Sequence, residues 1–262
     1  MFTKAITRAP GANYTDGLTT VDLGLPDYQK TLDEYAHYLN CLRQCGLSLI
    51  ELPADPRFPD GTFVEDTAIL LTQSAHSPAD ALLTRPGAES RAGEVESMRE
   101  ILARFHSELA GIRAPGTMDG GDICEAGGHF FIGISLRTNE EGGRQLAEWL
   151  AARVYSSSFI DIRQTPGILH LKSGLAWLGD NRLVVIDALA DRPAFKDYEL
   201  VRVAPGEEYA ANCIRVNEHV LIAAGFPKFE ASLRALGYQL MVLDMSEFQK
   251  MDGGLSCLSL RF

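Results

Sequence analysis

The feature that most limits how this chain can fold is a recurrence: strand, strand, helix, strand, about five times over at intervals of roughly fifty residues. FTKAITRAP leads to an amphipathic helix in LPDYQKTLDEYAHYLNCLRQCG and then the strand LSLIELPA. TAILLT and ALLTRPG precede a helix predicted around EVESMREILARFHSEL. DICEAGGHFFIGISL reads as a hairpin with Gly-Gly at its turn, followed by the helix EEGGRQLAEWLAARV and the strand FIDIRQ. LHLKSGLAWLGDNRLVVI is a second hairpin, joined by a weakly helical link to ELVRVA. CIRVNEHVLIAAG is a third, followed by a helix in KFEASLRALG and the strand YQLMVLDM. The repeat is one of pattern and scarcely of sequence, and no Pro/Ser-rich linker or charge block divides the chain. Residues 1–262 therefore read as one α/β domain of pseudo-symmetric modules around a centre, with loops meeting at one end.

Composition narrows the function. A net charge of −11 argues against sequence-independent nucleic-acid binding, whose affinity comes from phosphate neutralisation by Lys and Arg. The N-terminal stretch has no apolar core of signal-peptide length, and no run is long enough to span a membrane. The five cysteines, at 41, 45, 124, 213 and 257, are odd in number and irregular in spacing, which fits reduced thiols in a cytoplasmic protein. Cys41 and Cys45, four apart on the first helix, read as small packed residues, since a zinc site needs further ligands.

Four polar clusters stand at strand ends: PDGTFVED, MDGGD, LHLKSG and DGGLSC. MDGG occurs twice, at Met118–Gly121 and Met251–Gly254, each time a few residues ahead of a cysteine. Glycine lets a backbone turn sharply or approach a ligand closely, so each cluster alone fits an ordinary turn. Together, FVED, DGGD, RTN at 137–139, LHLKSG, AANCIRVN and the terminal DGGLSCLSLRF resemble the dimethylarginine dimethylaminohydrolases, relatives of arginine deiminases and amidinotransferases. The resemblance covers essentially the whole chain. It implies a five-bladed α/β propeller of ββαβ modules, and hydrolysis of N-omega-methylated arginines to citrulline and a methylamine.

By the same resemblance Cys257 is the nucleophile, His170 the acid and base, and Asp119 the carboxylate that orients His170, with Asp122 as the competing assignment. Glu65 and Asp66 match the carboxylates that grip the guanidinium, whose nitrogens offer only donors. Because neighbours in a strand point to opposite faces, both reach one ligand only where the strand ends or kinks. Asp60 and the backbone of Leu18 match positions that hold the ligand's α-amino group, and Arg85 and Arg137 those that hold its carboxylate. Phe63 is assigned to the methylated end, and the backbone of Met251 to the wall.

The chemistry suits these types. A guanidinium carbon is a poor electrophile, and sulfur attack expels an amine to leave a thiouronium that water hydrolyses. With so many carboxylates near it, free Cys257 is expected to stay a thiol at neutral pH until a guanidinium offsets their field. No metal or organic cofactor is demanded, although Cys257 and His170 could hold an inhibitory zinc. Arginine deiminase-like hydrolysis of unmethylated arginine is the rival reading, and a non-catalytic binder the other. The partner expected is a small molecule rather than nucleic acid or membrane, for a chain acting as monomer or homodimer.

Overall fold

The computed structural model describes residues 1–71, 81–106 and 108–262. Its strands form five separate three-stranded sheets. The first blade contains β1 (Lys4–Arg8), helix α1 (Tyr28–Gln44) and β2 (Ser48–Leu52). The second runs β3 (Ala68–Leu70), β4 (Ala81–Leu83), α2 (Glu94–Leu102), β5 (Leu109–Gly111). The third is β6 (Ile123–Ala126), β7 (His129–Ile134), α3 (Glu140–Ala151), β8 (Ser156–Asp161). The fourth is β9 (Leu175–Gly179), β10 (Arg182–Val185), the single turn α4 (Asp187–Ala190), β11 (Glu199–Arg202). The fifth is β12 (Ile214–Val216), β13 (His219–Ala223), α5 (Pro227–Ala235), β14 (Gln239–Leu243), after which come α6 (Ser246–Gln249) and β15 (Leu260–Arg261).

In blades two to five the first pair of strands is antiparallel, and a helical crossover makes the third parallel to the second. The first blade obtains its missing strand from the other end of the chain. β15 lies antiparallel to β1, with Ala5 opposite Arg261 and Ile6 opposite Leu260. The fold is thus a ring of five ββαβ blades. The first two strands of each blade are mostly buried and the third is half-exposed, as in β7 and β8, so the third strands form the rim. The Asp180-Asn181 corner between β9 and β10 takes positive φ at both residues, a conformation that Asp and Asn tolerate.

Two expectations need correction. The helix predicted to run to Leu109 ends at Leu102, and Leu109 instead opens β5, pairing in parallel with Ala81. The LHLKSG stretch is not strand but a 3₁₀ turn, Leu171–Ser173, ahead of β9. Residue 72 of the predicted strand TAILLT, and Ser107, lie outside the described residues.

The Leu171–Ser173 turn is one of five. Val64–Thr67, Gly120–Asp122, Leu171–Ser173, Glu208–Ala211 and Ser256–Leu258 are all single 3₁₀ turns, each leading into the innermost strand of its blade. Since the blades are equivalent, these lead-in turns gather around one end of the ring axis. The polar clusters of the sequence sit on or beside them.

Candidate active site

Each lead-in turn delivers a different side chain to the axis. His170 caps the start of the fourth blade's turn in an extended conformation. Its Nε2 lies 3.0 Å from Asp119 Oδ2, and the other oxygen of Asp119 accepts from the Gly87 amide at 2.8 Å. Asp119 has no exposed surface. Asp122 acts on the backbone instead. Its oxygens accept from the Leu171 amide at 3.0 Å and from the hydroxyls of Ser135 and Thr138, both at 2.7 Å. It fixes the turn that carries His170 and does not bond to the ring.

Burial alone would lower the His170 pKa, but Asp66, Asp119 and Asp122 outweigh it and raise it to about 9. The ring is therefore an imidazolium at neutral pH. Cys257 follows the opposite logic. Burial first, then Glu65 and Asp66, push its thiol up to about 12, against the Gly254 amide and Ser256.

Asp66 stands between them. Its oxygens accept from the Gly121 amide at 2.8 Å and from Arg91 Nη1 at 2.6 Å, and His170 and Arg91 outweigh its burial to keep it ionised. Gly121 must be glycine for this approach, because a Cβ there would lie 2.9 Å from the His170 ring and 3.0 Å from Asp66 Oδ1. Asp60, shifted upward by burial, accepts from the Leu18 amide at 3.1 and 3.3 Å. The two positions matched to one ammonium group thus hold each other here.

The pocket is lined by Leu18, Asp60, Phe63, Asp66, Arg137, His170, Met251 and Cys257 of the residues named from sequence. It encloses about 20 Å³, room for about one water molecule. An amino-acid ligand needs more room than this. The segment carrying Leu18 is held by Asp252, whose carboxylate accepts from the Thr20 amide and hydroxyl. The two MDGG stretches consequently differ: Asp119 is extended and buried, while Asp252 adopts a left-handed conformation and reaches outward. Phe63 is held edge-on against Tyr14 and Phe248. Arg137 Nη1 approaches Asp119 to 3.7 Å.

Three named residues are placed elsewhere. Asp119 stands behind His170 rather than on the wall. Arg85 is exposed, donates to the Gly116 carbonyl at 3.2 Å and is not a lining residue. Glu65 turns away from Asp66 because the two occupy a 3₁₀ turn, where successive side chains diverge by about 120°. Its carboxylate accepts from Lys172 Nζ at 2.6 Å and from the Ser256 hydroxyl at 2.7 Å.

Sequence reasoning missed Arg91. It is buried, lines the pocket beside Asp66, pairs also with Glu94 and donates to the carbonyls of Phe63 and Asp60. Nothing in GAESRAGEV distinguishes it from a solvated arginine. Asp66, Asp119 and His170 form a group of potential metal ligands among the described residues, and Cys257 is not part of it. Zinc on Cys257 and His170 would have to displace a proton from a thiol held near 12 and from an imidazolium held near 9.

A five-bladed α/β propeller whose axis carries a cysteine, an imidazolium and a ring of carboxylates defines the guanidine-modifying pentein class. No family model matches the chain. It is 43% identical over 263 residues to the N(G),N(G)-dimethylarginine dimethylaminohydrolase of Pseudomonas aeruginosa, with 100% of both chains covered. It is 32% identical to that of Streptomyces coelicolor, over 98% of this chain and 96% of the relative. Among solved structures, a mutant of the Pseudomonas aeruginosa enzyme complexed with citrulline superposes with a TM-score of 0.94 at 43% identity over the whole of both chains. The N-terminal domain of ArgZ, a cyanobacterial arginine dihydrolase, shares the fold at 15% identity, with a TM-score of 0.86 over 100% of this chain and 97% of that one. The chain belongs to the N(G),N(G)-dimethylarginine dimethylaminohydrolase family.

Proposed function

We propose that this chain hydrolyses N-omega-methylated arginines to citrulline and a methylamine, with Cys257 as nucleophile. The observation that carries the reading is the convergence of Cys257, His170, Asp60 and Asp66 on one small pocket, with Asp119 bonded to the His170 ring behind it. Such a site waits for a cation. Burial, and after it the Glu65 and Asp66 carboxylates, keep Cys257 a thiol; a guanidinium against Asp66 offsets the carboxylates' part, and the thiolate forms where its target lies. Sulfur adds to the guanidinium carbon, His170 gives its proton to the departing methylamine, and the C–N bond breaks to leave a thiouronium. The neutral imidazole then takes a proton from water, whose oxygen attacks the same carbon. The C–S bond breaks as the new hydroxyl gives up its proton to the departing sulfur, which restores the Cys257 thiol, and citrulline leaves.

Asp119 orients His170 throughout, as carboxylates do in other base–orienter pairs. Asp60 and the Leu18 backbone receive the α-amino group once the segment carrying Leu18 moves, and Arg137 receives the α-carboxylate, with Arg85 further out. Phe63 and the Met251 backbone bound the methylated end. Glu65 serves from behind Cys257. No step calls for a metal or organic cofactor. Every blade contributes a lead-in turn, which supports residues 1–262 acting as one catalytic unit. The five cysteines are all unpaired, which supports a reducing, cytoplasmic setting. Among the described residues no helix is long and apolar enough to cross a membrane.

The test is a citrulline assay with arginine, monomethylarginine and asymmetric dimethylarginine, run beside Cys257→Ser. Turnover of the methylated forms, absent from the serine variant, is expected. Turnover of arginine alone would move the assignment to a deiminase, and no urea product from any of the three would dismiss it.

A further inference from the structure

The front pocket ends at Cys257, but a row of polar contacts continues behind it. Ser256 Oγ lies 3.9 Å from Cys257 Sγ and donates to Glu65 Oε2 at 2.7 Å. The other oxygen of Glu65 accepts from Lys172 Nζ at 2.6 Å. Asn212 steadies the middle of the row: its Oδ1 accepts from the Ser256 amide at 2.9 Å, and its Nδ2 donates to Ser256 Oγ at 3.2 Å. The Ser256 hydroxyl thus has its proton committed to Glu65 and one lone pair to Asn212. Its second lone pair is left for the thiol proton.

Behind the row lies a second cavity of about 320 Å³. Glu65, Lys172 and Ser256 line it, as does Met1, which is exposed. Neither Ser256 nor Glu65 lines the front pocket, and Cys257 does not line the rear one. The row Cys257–Ser256–Glu65 therefore crosses the floor formed by the lead-in turns, from one space to the other.

We propose that Ser256 and Glu65 carry the thiol proton of Cys257 rearward, into this second cavity, when a guanidinium ligand arrives. The proposal rests on the reading of Cys257 as nucleophile. The S–H bond breaks and its proton passes to Ser256 Oγ, while the proton already on Ser256 passes to Glu65 Oε2. A thiolate remains in front, an intact hydroxyl in the middle, and a neutral carboxylic acid behind. Glu65 then releases the proton to solvent in the rear cavity and regains its charge beside Lys172, whose positive charge favours that release.

In front, the carboxylates among the described residues are already engaged: Asp60 accepts from the Leu18 amide and Asp252 from Thr20. A guanidinium carries only donors, so it cannot accept the proton. Asp66 is tied to Arg91 and the Gly121 amide. His170 already bears a proton, since the carboxylates around it outweigh its burial.

A relay changes how fast a proton moves and not where the equilibrium lies, which separates it from a merely structural contact. The experiment follows thiolate ultraviolet absorbance after rapid mixing with butylguanidinium. Wild-type protein is expected to show a rise that is absent in Cys257→Ser. In Ser256→Ala the rise slows by about tenfold or more, and Ser256→Thr restores the rate. A Ser256→Ala rise as fast as wild type, or a slow one that Ser256→Thr does not restore, overturns the relay. A rise that persists in Cys257→Ser overturns instead the assignment of Cys257 on which it rests.

Discussion

Asp119 and Asp122 stand three positions apart, both fully buried, and direction alone gives them separate roles. An extended Asp119 faces His170, while Asp122, at the end of a 3₁₀ turn, faces the Leu171 amide. No count of residues could have decided between them as the partner of His170. The adjacency of Glu65 and Asp66 called for a break in the strand if both were to reach one ligand; the 3₁₀ turn supplies the break, yet Glu65 faces Lys172 and Ser256. Arg91 was invisible because its role comes from burial against Asp66, more than twenty positions away. The His170 imidazolium gives a pH prediction. Its folded pKa of about 9 exceeds the ordinary value of 6.5, so its contribution to stability is complete below about 6.5 and lost as pH rises through about 9. The proton that it supplies to the leaving amine is lost as pH rises through about 9. In Asp119→Asn the alkaline limb of kcat should move to lower pH and kcat should fall about 10²- to 10³-fold. A kcat–pH profile for both proteins measures this, and an unmoved limb would detach Asp119 from the histidine.

At the scale of elements, the lead-in turns succeed because glycine lets them touch. A Cβ on Gly120 would sit 2.0 Å from the Glu65 carbonyl oxygen, where the turns of the second and third blades meet backbone to backbone. One on Gly121 would meet the His170 ring instead. The two alanine variants should therefore part company. Gly120→Ala is expected to lower thermal stability, by about 1–3 kcal/mol or more because backbone must move. Gly121→Ala should spare more of the stability and reduce kcat, because a side chain can yield where a backbone cannot. Melting temperatures and kcat for the pair check this, and equal loss of both in each variant would contradict it. The hairpins that open blades three to five were legible from Gly-Gly, Asp-Asn and Asn-Glu-His at their corners. The strand β5 was not. Three residues ending in glycine have no period to read, and Leu109 becomes strand only because β4 offers it an edge.

For the molecule as a whole, the five-fold rhythm was legible in the alternation of apolar runs, but the seam of the ring was not. The pairing of β1 with β15 joins residues more than 250 positions apart, and nothing local announces it. The amides of Thr3 and Lys4 both donate to the Phe262 carbonyl at 2.8 Å, and the Phe262 amide donates to the Lys4 carbonyl at 3.0 Å. Cys257 lies on the turn that leads into this seam. Removing residues 260–262 should thus abolish activity together with a large loss of melting temperature. Activity that survives the deletion would show that the nucleophile is held without the closing strand. The seam has another consequence. Hydrogen bonds already place the first and last strands side by side, so a short peptide bridge could make that junction covalent with little distortion. New chain ends could then be cut at a distant surface corner such as Asp180-Asn181, where both residues belong to an exposed hairpin turn. The blades would keep their neighbours while their order of synthesis rotated. In such a circular permutant, where a polypeptide starts becomes a matter of genetic convenience, separable from the architecture that it encodes.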